Sequence, residues 1–208
     1  MSVEASRIRN VCIIAHVDHG KTSLSDHLIA SNGLIASRLA GKLRFLDSRP
    51  DEQERCITMK ASCISLRFGD YAISLVDSPG HVDFSVEVSA AVRLADGAIV
   101  VVDALEGVQA QTETVIRQAW NEGLEMILVI NKLDRLVLDL KLTALEAYVH
   151  INRLLENVMQ FFLFRLKTHI IHRSMPLLLH FIFLKLWISL RIIMWMWMIQ
   201  SNCDSLPN

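Results

Sequence analysis

The chain has 208 residues, of which 52% are hydrophobic and 21% are charged, and its formal net charge is −1. This length allows one domain with a substantial core, and high apolar content with a net charge near zero excludes a disordered chain. Eight Gly, four Pro and four scattered Cys exclude a collagen-like or disulfide-based framework and indicate free thiols. The first 30 residues include Asp18 and Asp26 and no long apolar run, so no secretory signal is predicted.

Residues 1–157 predict alternating strands and helices. The first half predicts a strand over 11–15, a helix over 21–31, an exposed polar loop over 32–60, and strands over 63–68 and 71–76 joined by a Gly69-Asp70 turn. The second half predicts a helix over 84–94, a strand over 98–103, a helix over 112–122, a strand over 126–131 and a helix from Thr143 to about Val158. This order predicts an α/β fold with a mostly parallel sheet and helices on both faces.

The composition changes sharply near residue 158. Residues 1–157 carry a net charge of −5, whereas residues 158–208 carry +4. Between Met159 and Cys203 there is no Ala, Gly, Val, Asp or Glu, the five residue types whose codons begin with G. We therefore interpret 159–208 as an apolar, basic tail from a non-native reading frame or an intron. The alternative is an interfacial membrane helix, because its longest runs without Lys, Arg, Asp or Glu are 11 and 12 residues, too short to span a bilayer.

The first motif is Ala-His-Val-Asp-His-Gly-Lys-Thr at 15–22, between a predicted strand and a predicted helix. This context is typical of a phosphate-binding loop, whose backbone N–H groups meet phosphate oxygens at a helix N-terminus. Lys21 would contact the β- and γ-phosphates, and the Thr22 hydroxyl would bind Mg²⁺. Ala15 replaces the first Gly of the strict pattern.

Two further motifs follow predicted strands. Asp77-Ser-Pro-Gly80-His81 places a carboxylate where it can hold Mg²⁺ and a glycine whose N–H can approach the γ-phosphate. Asn131-Lys132-Leu133-Asp134 supplies an Asp that accepts two hydrogen bonds from guanine and none from adenine in that position. Thr22 precedes Asp77 by 55 residues and Asp77 precedes Asn131 by 54. Because ligands of open α/β sheets bind at the carboxyl ends of the strands, this order predicts a GTP-binding domain.

The motifs at 15–22, 55–59, 77–81 and 131–134 resemble those of translational GTPases of the elongation factor 2 and elongation factor G family. The segments 37–44, 51–55 and 131–148 resemble the elongation factor-like branch of that family. The resemblance covers about residues 7–158. It implies GTP hydrolysis in cytoplasmic maturation of the large (60S) ribosomal subunit, where the enzyme and a partner adaptor release an anti-association factor. Cys56 is more typical of elongation factor 2, so a translocation GTPase stays an alternative, as does a non-functional product.

The resemblance assigns roles to individual residues. It implies that His81 orients the attacking water, that Asp18 helps to place His81, that Lys21 acts on the phosphates and that Thr58 senses the γ-phosphate and Mg²⁺. Thr22, Thr58 and Asp77 form the implied Mg²⁺ site. The implied guanine-nucleotide contacts are Asp18, His19, Gly20, Lys21, Thr22, Ser23, Asp77, Gly80, His81, Asn131, Lys132 and Asp134.

Two features of the family pattern are not found in this sequence. No arginine finger is evident, so intrinsic hydrolysis is expected to be slow and to need a partner. The fifth guanine-binding motif, expected after the 143–158 helix, is not recognisable in the tail. We therefore expect residues 1–158 to form a GTPase domain that lacks its last strand and helix, with GTP, Mg²⁺ and the large ribosomal subunit as its ligands and partners.

Overall fold

The computed structural model describes residues 4–169. The predicted tail lies outside the described residues from 170 onwards, and so does most of the proposed interfacial helix. The chain divides into two units, Met1–Asn131 and Lys132–Asn208. No helix among the described residues is long and apolar enough to cross a bilayer.

The first unit is built on a five-stranded sheet. Its strands are β1 (Ile8–Ala15), β2 (Ser62–Phe68), β3 (Tyr71–Asp77), β4 (Gly97–Asp103) and β5 (Glu125–Asn131). They lie in the order β2-β3-β1-β4-β5, and only the β2–β3 pair is antiparallel. The mostly parallel sheet and the predicted hairpin at Gly69-Asp70 are therefore confirmed.

Helices cover both faces of this sheet, as the sequence predicts. The helices are α1 (Lys21–Ser31), α2 (Pro50–Arg55), α3 (Ser85–Leu94) and α4 (Ala110–Asn121), with short 3-10 turns at Ala5–Arg7, Ser37–Leu39 and Val82–Phe84. Ile29 of α1 packs with Ile13 and Ala15 of β1 on one face. Cys12 and Ile14 point to the opposite face and are fully buried, and α3 and α4 pack against β1 and against each other. Burial raises the pKa of the Cys12 thiol to about 11.

The second unit begins directly after β5. It contains α5 (Asp134–Leu138), which the sequence analysis missed, and α6 (Ala144–His169). The predicted start of α6 is confirmed by a capping interaction in which the Thr143 N–H and hydroxyl both donate to the Glu146 carboxylate, at 2.9 and 2.8 Å. These bonds also lower the pKa of Glu146. The predicted end near Val158 is wrong, because α6 continues for eleven residues beyond it.

The prediction of an exposed loop over 32–60 is also wrong in part. Residues Pro50–Arg55 form α2, and Asp47, Glu52 and Thr58 are buried at 1%, 2% and 4% exposure. The two acids are buried because backbone N–H groups and hydroxyls within 44–60 donate to them. A polar sequence therefore forms an ordered cover close to the carboxyl ends of the strands.

Candidate functional site

The loop between β1 and α1 has the geometry of a phosphate-binding loop. Gly20 precedes the first turn of α1 with a left-handed φ of 93°. A Cβ there would overlap the Asn131 side-chain amide, which donates to the His19 carbonyl at 2.9 Å. Glycine is thus required for both conformation and space. Through this contact the end of β5 is joined to the predicted phosphate loop.

Lys21 lies in the centre of the site. Its side chain is buried, and Nζ donates to the His16 carbonyl at 2.9 Å. Burial lowers the pKa of Lys21 to about 8, an effect that the negative charge of Asp77 opposes. A Cβ on Gly80 would overlap Lys21 Nζ and would lie 3.1 Å from the His16 carbonyl oxygen. Gly80 therefore leaves the space in which the lysine ammonium lies.

Three oxygen-bearing side chains lie beside Lys21. The Thr58 hydroxyl donates to Asp47 Oδ1 at 2.9 Å, and the hydroxyl oxygens of Thr22 and Thr58 are 3.0 Å apart. Asp77 is fully buried, and neither of its carboxylate oxygens has a hydrogen-bond partner of normal geometry. Burial raises the pKa of Asp77 to about 7, against the opposing effects of Lys21 and the nearby Thr22 hydroxyl.

These residues fit a magnesium ion. The hydroxyl oxygens of Thr22 and Thr58 lie 3.0 Å apart, and Thr22 is close to Asp77, so these three side chains would offer oxygen ligands to one ion. An unpartnered buried carboxylate is costly, and a divalent cation supplies the missing partner. The donor set of hydroxyls and a carboxylate is the hard oxygen chemistry that Mg²⁺ prefers.

His81 is the predicted water-orienting residue and lies at the start of the 3-10 turn before α3. Its Nδ1 accepts the Asp83 N–H at 3.2 Å, so in the neutral ring the proton is on Nε2, and the ring packs at a tilt against Phe84. The side chain is 38% exposed, which leaves it accessible to water. Asp18 is exposed with a left-handed φ of 58°, and its charge raises the pKa of the nearby Lys21. The structure gives Asp18 a charge interaction with Lys21, and no hydrogen bond between Asp18 and His81 is observed in the described residues.

The remaining predicted nucleotide contacts differ in how they are placed. His19 is fully buried, with Nδ1 accepting the Asp103 N–H at 3.3 Å and Nε2 lying 3.4 Å from the Glu106 carboxylate. Its imidazole therefore packs beneath the loop, and only its backbone is available to a phosphate. Burial lowers the pKa of His19. Ser23 is exposed in the first turn of α1.

The predicted guanine motif spans the boundary between the two units. Asn131 ends β5, Lys132 adopts a left-handed φ of 59°, and Asp134 begins α5. The motif thus follows the last strand of the sheet along the chain, as predicted. Asp26, Asp47 and Glu52 also belong to the site region, and their burial was not predicted, because an acid in a helix or in a polar segment carries no sequence signal for burial.

The phosphate loop after β1 and the buried Asp77 at the end of the neighbouring parallel strand β3 are the arrangement of a phosphate-loop nucleotide-binding domain. A family model described as "Elongation factor Tu GTP binding domain" matches residues 6–182. The chain belongs to this family.

Curated relatives carry names that refer to GTPases and to ribosome assembly. The chain is 61% identical over 157 residues to "Elongation factor-like GTPase 1" of Mus musculus, a match that covers 74% of this chain and 14% of the relative. It is 58% identical over 169 residues to "Ribosome assembly protein 1" of Saccharomyces cerevisiae, covering 74% of this chain and 15% of the relative. The chain thus spans about one seventh of the length of these relatives.

A solved structure agrees with the fold. A crystal structure of a Thermus thermophilus protein matches with a TM-score of 0.58 and 31% identity over 63% of this chain and 20% of that chain. The recognition of an N-terminal translational-type GTPase domain from the sequence is therefore confirmed.

Proposed function

We propose that this chain is the GTP-binding and GTP-hydrolysing domain of a cytoplasmic GTPase that acts in maturation of the large (60S) ribosomal subunit. The reaction converts GTP and water into GDP and phosphate. The nucleotide part of this proposal rests on one observation: Asp77 is buried without a hydrogen-bond partner, beside Lys21 and the Thr22–Thr58 pair. The buried carboxylate without a hydrogen-bond partner favours a bound cation, and the buried Lys21 ammonium favours a bound anion such as a phosphate.

Each residue has a proposed task. Lys21 would donate to the β- and γ-phosphates, and Thr22, Thr58 and Asp77 would hold Mg²⁺, directly or through its water ligands. When bound, the ion neutralises charge on the phosphate oxygens. The Gly80 N–H approaches the γ-phosphate because no side chain intervenes. Asn131, Lys132 and Asp134 bind the base, and the Asp134 carboxylate selects guanine.

His81 is proposed to orient the attacking water. Because Nδ1 is occupied by the Asp83 N–H, Nε2 is the ring nitrogen available for a water molecule. Asp18 is proposed to help place His81 when a partner engages the site. Since no arginine finger is evident in the sequence, we propose that the ribosomal particle supplies the activation.

The ribosomal part of the proposal is supported by the relatives. One of them is named for ribosome assembly and another as an elongation factor-like GTPase, and the matching segment is their GTPase domain. We propose that the whole protein, with an adaptor, releases an anti-association factor from the large subunit. We further propose that residues 1–158 form the GTPase part and that 159–208 is an atypical apolar, basic tail from a non-native reading frame or an intron, although the family model extends to residue 182.

The nucleotide part is tested with a chimera in which residues 1–158 replace the matching segment of the yeast relative, and with the 208-residue chain beside it. The chimera should bind labelled GTP with Mg²⁺, unlabelled GDP should compete, and ATP should not. The 208-residue chain, in which the fifth guanine-binding motif is not recognisable, should bind GTP weakly or not at all. Chelation of Mg²⁺ should weaken binding of GTP. Binding of ATP as strong as that of GTP would contradict the assignment of the guanine motif.

The ribosomal part is tested with a chimera in which residues 1–158 replace the matching segment of the yeast relative. We expect phosphate release from GTP to rise when large subunits are added and to stay at the basal rate with small subunits. A chimera carrying His81→Ala is the matched control. Equal stimulation by both subunits would contradict the proposed partner while leaving the nucleotide assignment intact.

A further inference from the structure

The segment 44–58 is attached to helix α1 at two points. The first is the contact between Thr22 and Thr58 at the candidate magnesium site. The second is Asp26, whose two carboxylate oxygens accept the Arg44 and Phe45 backbone N–H groups, both at 2.9 Å. Thr22 and Asp26 are four residues apart on α1 and so lie on the same face of the helix. One face of the phosphate-loop helix therefore holds both ends of this segment.

Asp26 is a buried carboxylate that the proposed mechanism does not use. Its side chain is fully buried, and a buried acid is normally found only where partners hold it in place. Arg44 has a left-handed φ of 49°, an unfavourable conformation for a residue with a Cβ. The bonds from the Arg44 and Phe45 N–H groups to Asp26 stabilise this conformation.

An unbroken series of contacts connects Asp26 with the candidate magnesium site. Arg44 Nε donates to Asp47 Oδ2, the Asp47 N–H donates to the Arg44 carbonyl at 2.9 Å, and Asp47 Oδ1 accepts the Thr58 hydroxyl. Thr58 then meets Thr22. The position of the Thr58 hydroxyl is thus determined through Asp47 and Arg44 by a carboxylate on α1.

A second buried acid stabilises the far end of the segment. Glu52 Oε1 accepts the Met59 and Lys60 N–H groups at 2.8 and 3.0 Å, and Glu52 Oε2 accepts the Arg49 N–H at 3.2 Å. These bonds lie within the segment and its C-terminal flank and do not reach α1. Of the two acids, only Asp26 joins the segment to the phosphate-loop helix.

We propose that Asp26 is a positioning residue that keeps Thr58 in its γ-phosphate-sensing position, and that it thereby sets the preference of the site for GTP over GDP. The proposal rests on the function proposed above, because Thr58 distinguishes the nucleotides only if it contacts the γ-phosphate side of the ion. Loss of Asp26 weakens GTP binding and leaves GDP binding unchanged, since GDP lacks the γ-phosphate. A merely structural role would weaken both equally.

The test compares Asp26→Asn with the unsubstituted sequence in the chimera that carries residues 1–158 in place of the matching segment of the yeast relative. Asparagine keeps the volume but places an NH₂ donor against a backbone N–H. We expect affinity for a non-hydrolysable GTP analogue to fall about tenfold, the scale of one lost charge-assisted hydrogen bond, with GDP affinity unchanged. Ser25→Ala is the matched control, because Ser25 is buried on the same helix and its hydroxyl bonds to the Lys21 carbonyl. This control should change neither affinity.

A second measurement does not depend on any variant. Amide hydrogen exchange of Arg44 and Phe45 in the unsubstituted chimera should be slower with the GTP analogue than with GDP. Equal exchange in both states, or an equal loss of GTP-analogue and GDP affinity in Asp26→Asn, would overturn the inference. Failure of the unsubstituted chimera to bind either guanine nucleotide would instead refute the proposed function.

Discussion

Asp77→Asn tests whether the site buries an ionisable carboxylate that lacks a partner. The native pKa of Asp77 is raised from 3.8 to about 7, chiefly by burial. At pH values between 3.8 and about 7, Asp77 is protonated in the native state and ionised in the unfolded state. The free energy of unfolding therefore falls as pH rises through this window. A difference of about three pH units corresponds to roughly 4 kcal/mol in total, or about 1.4 kcal/mol per pH unit within the window. Asparagine does not titrate and removes this slope.

Urea unfolding of the nucleotide-free chain, followed by circular dichroism at about pH 5 and about pH 7, measures the effect. The wild type should lose more stability over this interval than Asp77→Asn, by roughly 2–3 kcal/mol. In the wild type Lys21, with a pKa of about 8, stays largely protonated in this interval; in Asp77→Asn its pKa falls further, which adds a slope of the opposite sign and widens the expected difference. The lowered pKa of His19 acts in the opposite direction in both proteins, so it cancels in the comparison.

Two controls distinguish titration of Asp77 from other causes of a pH-dependent stability. Asp70→Asn removes an exposed carboxylate in the hairpin turn and should keep the wild-type slope. Addition of Mg²⁺ and GTP should reduce the wild-type slope, because a bound cation favours the ionised carboxylate. If wild type and Asp77→Asn show the same pH dependence, the reasoning from burial and missing partners is refuted.

Three further substitutions test separate parts of the site. Gly80→Ala should lower GTP affinity about 10–100-fold in a labelled-GTP binding assay, because the new methyl group displaces Lys21 Nζ from the phosphate side; unchanged affinity would contradict this placement of Lys21. His81→Ala, in the chimera with the yeast relative, should leave GTP affinity within a few-fold and lower large-subunit-stimulated phosphate release by roughly 10²–10⁴; an unchanged stimulated rate would exclude the water-orienting role. Asp134→Asn should shift preference from GTP to xanthosine triphosphate in competition binding, because donor and acceptor exchange at the purine 2-position; a retained GTP preference would show that Asp134 does not read the base.

The order of elements could be predicted from the sequence because its signals are local. The apolar run at 98–103 indicates a strand buried on both faces, and β4 covers Gly97–Asp103. The glycine and lysine of the phosphate loop mark the start of α1, whose predicted bounds coincide with those observed. The helix α5 was missed because its five residues are too few for a periodic pattern.

The motifs of the candidate site could be predicted from the sequence, but the buried acids that hydrogen-bond to the backbone around it could not. Asp77, Gly80 and Asn131 lie at or just after strand ends, where the motif spacing placed them. The sequence showed Asp26 and Glu52 only as charged residues in a helix and in a polar segment. Their partners are 18 and 19 residues away for Asp26 and up to 8 residues away for Glu52.

By itself the sequence determined the α/β class, the strand–motif order and the guanine-nucleotide family, because hydrophobic periodicity and phosphate-loop chemistry depend on neighbouring residues. Only the tertiary structure decided that the polar segment 44–58 contacts the site through Thr58, and that Asp47 and Glu52 of this segment and Asp26 of α1 are buried. Burial of a carboxylate depends on whether folding brings N–H and O–H donors to it, which composition does not encode. The contacts that hold Thr58 next to Thr22 are therefore a property of the fold.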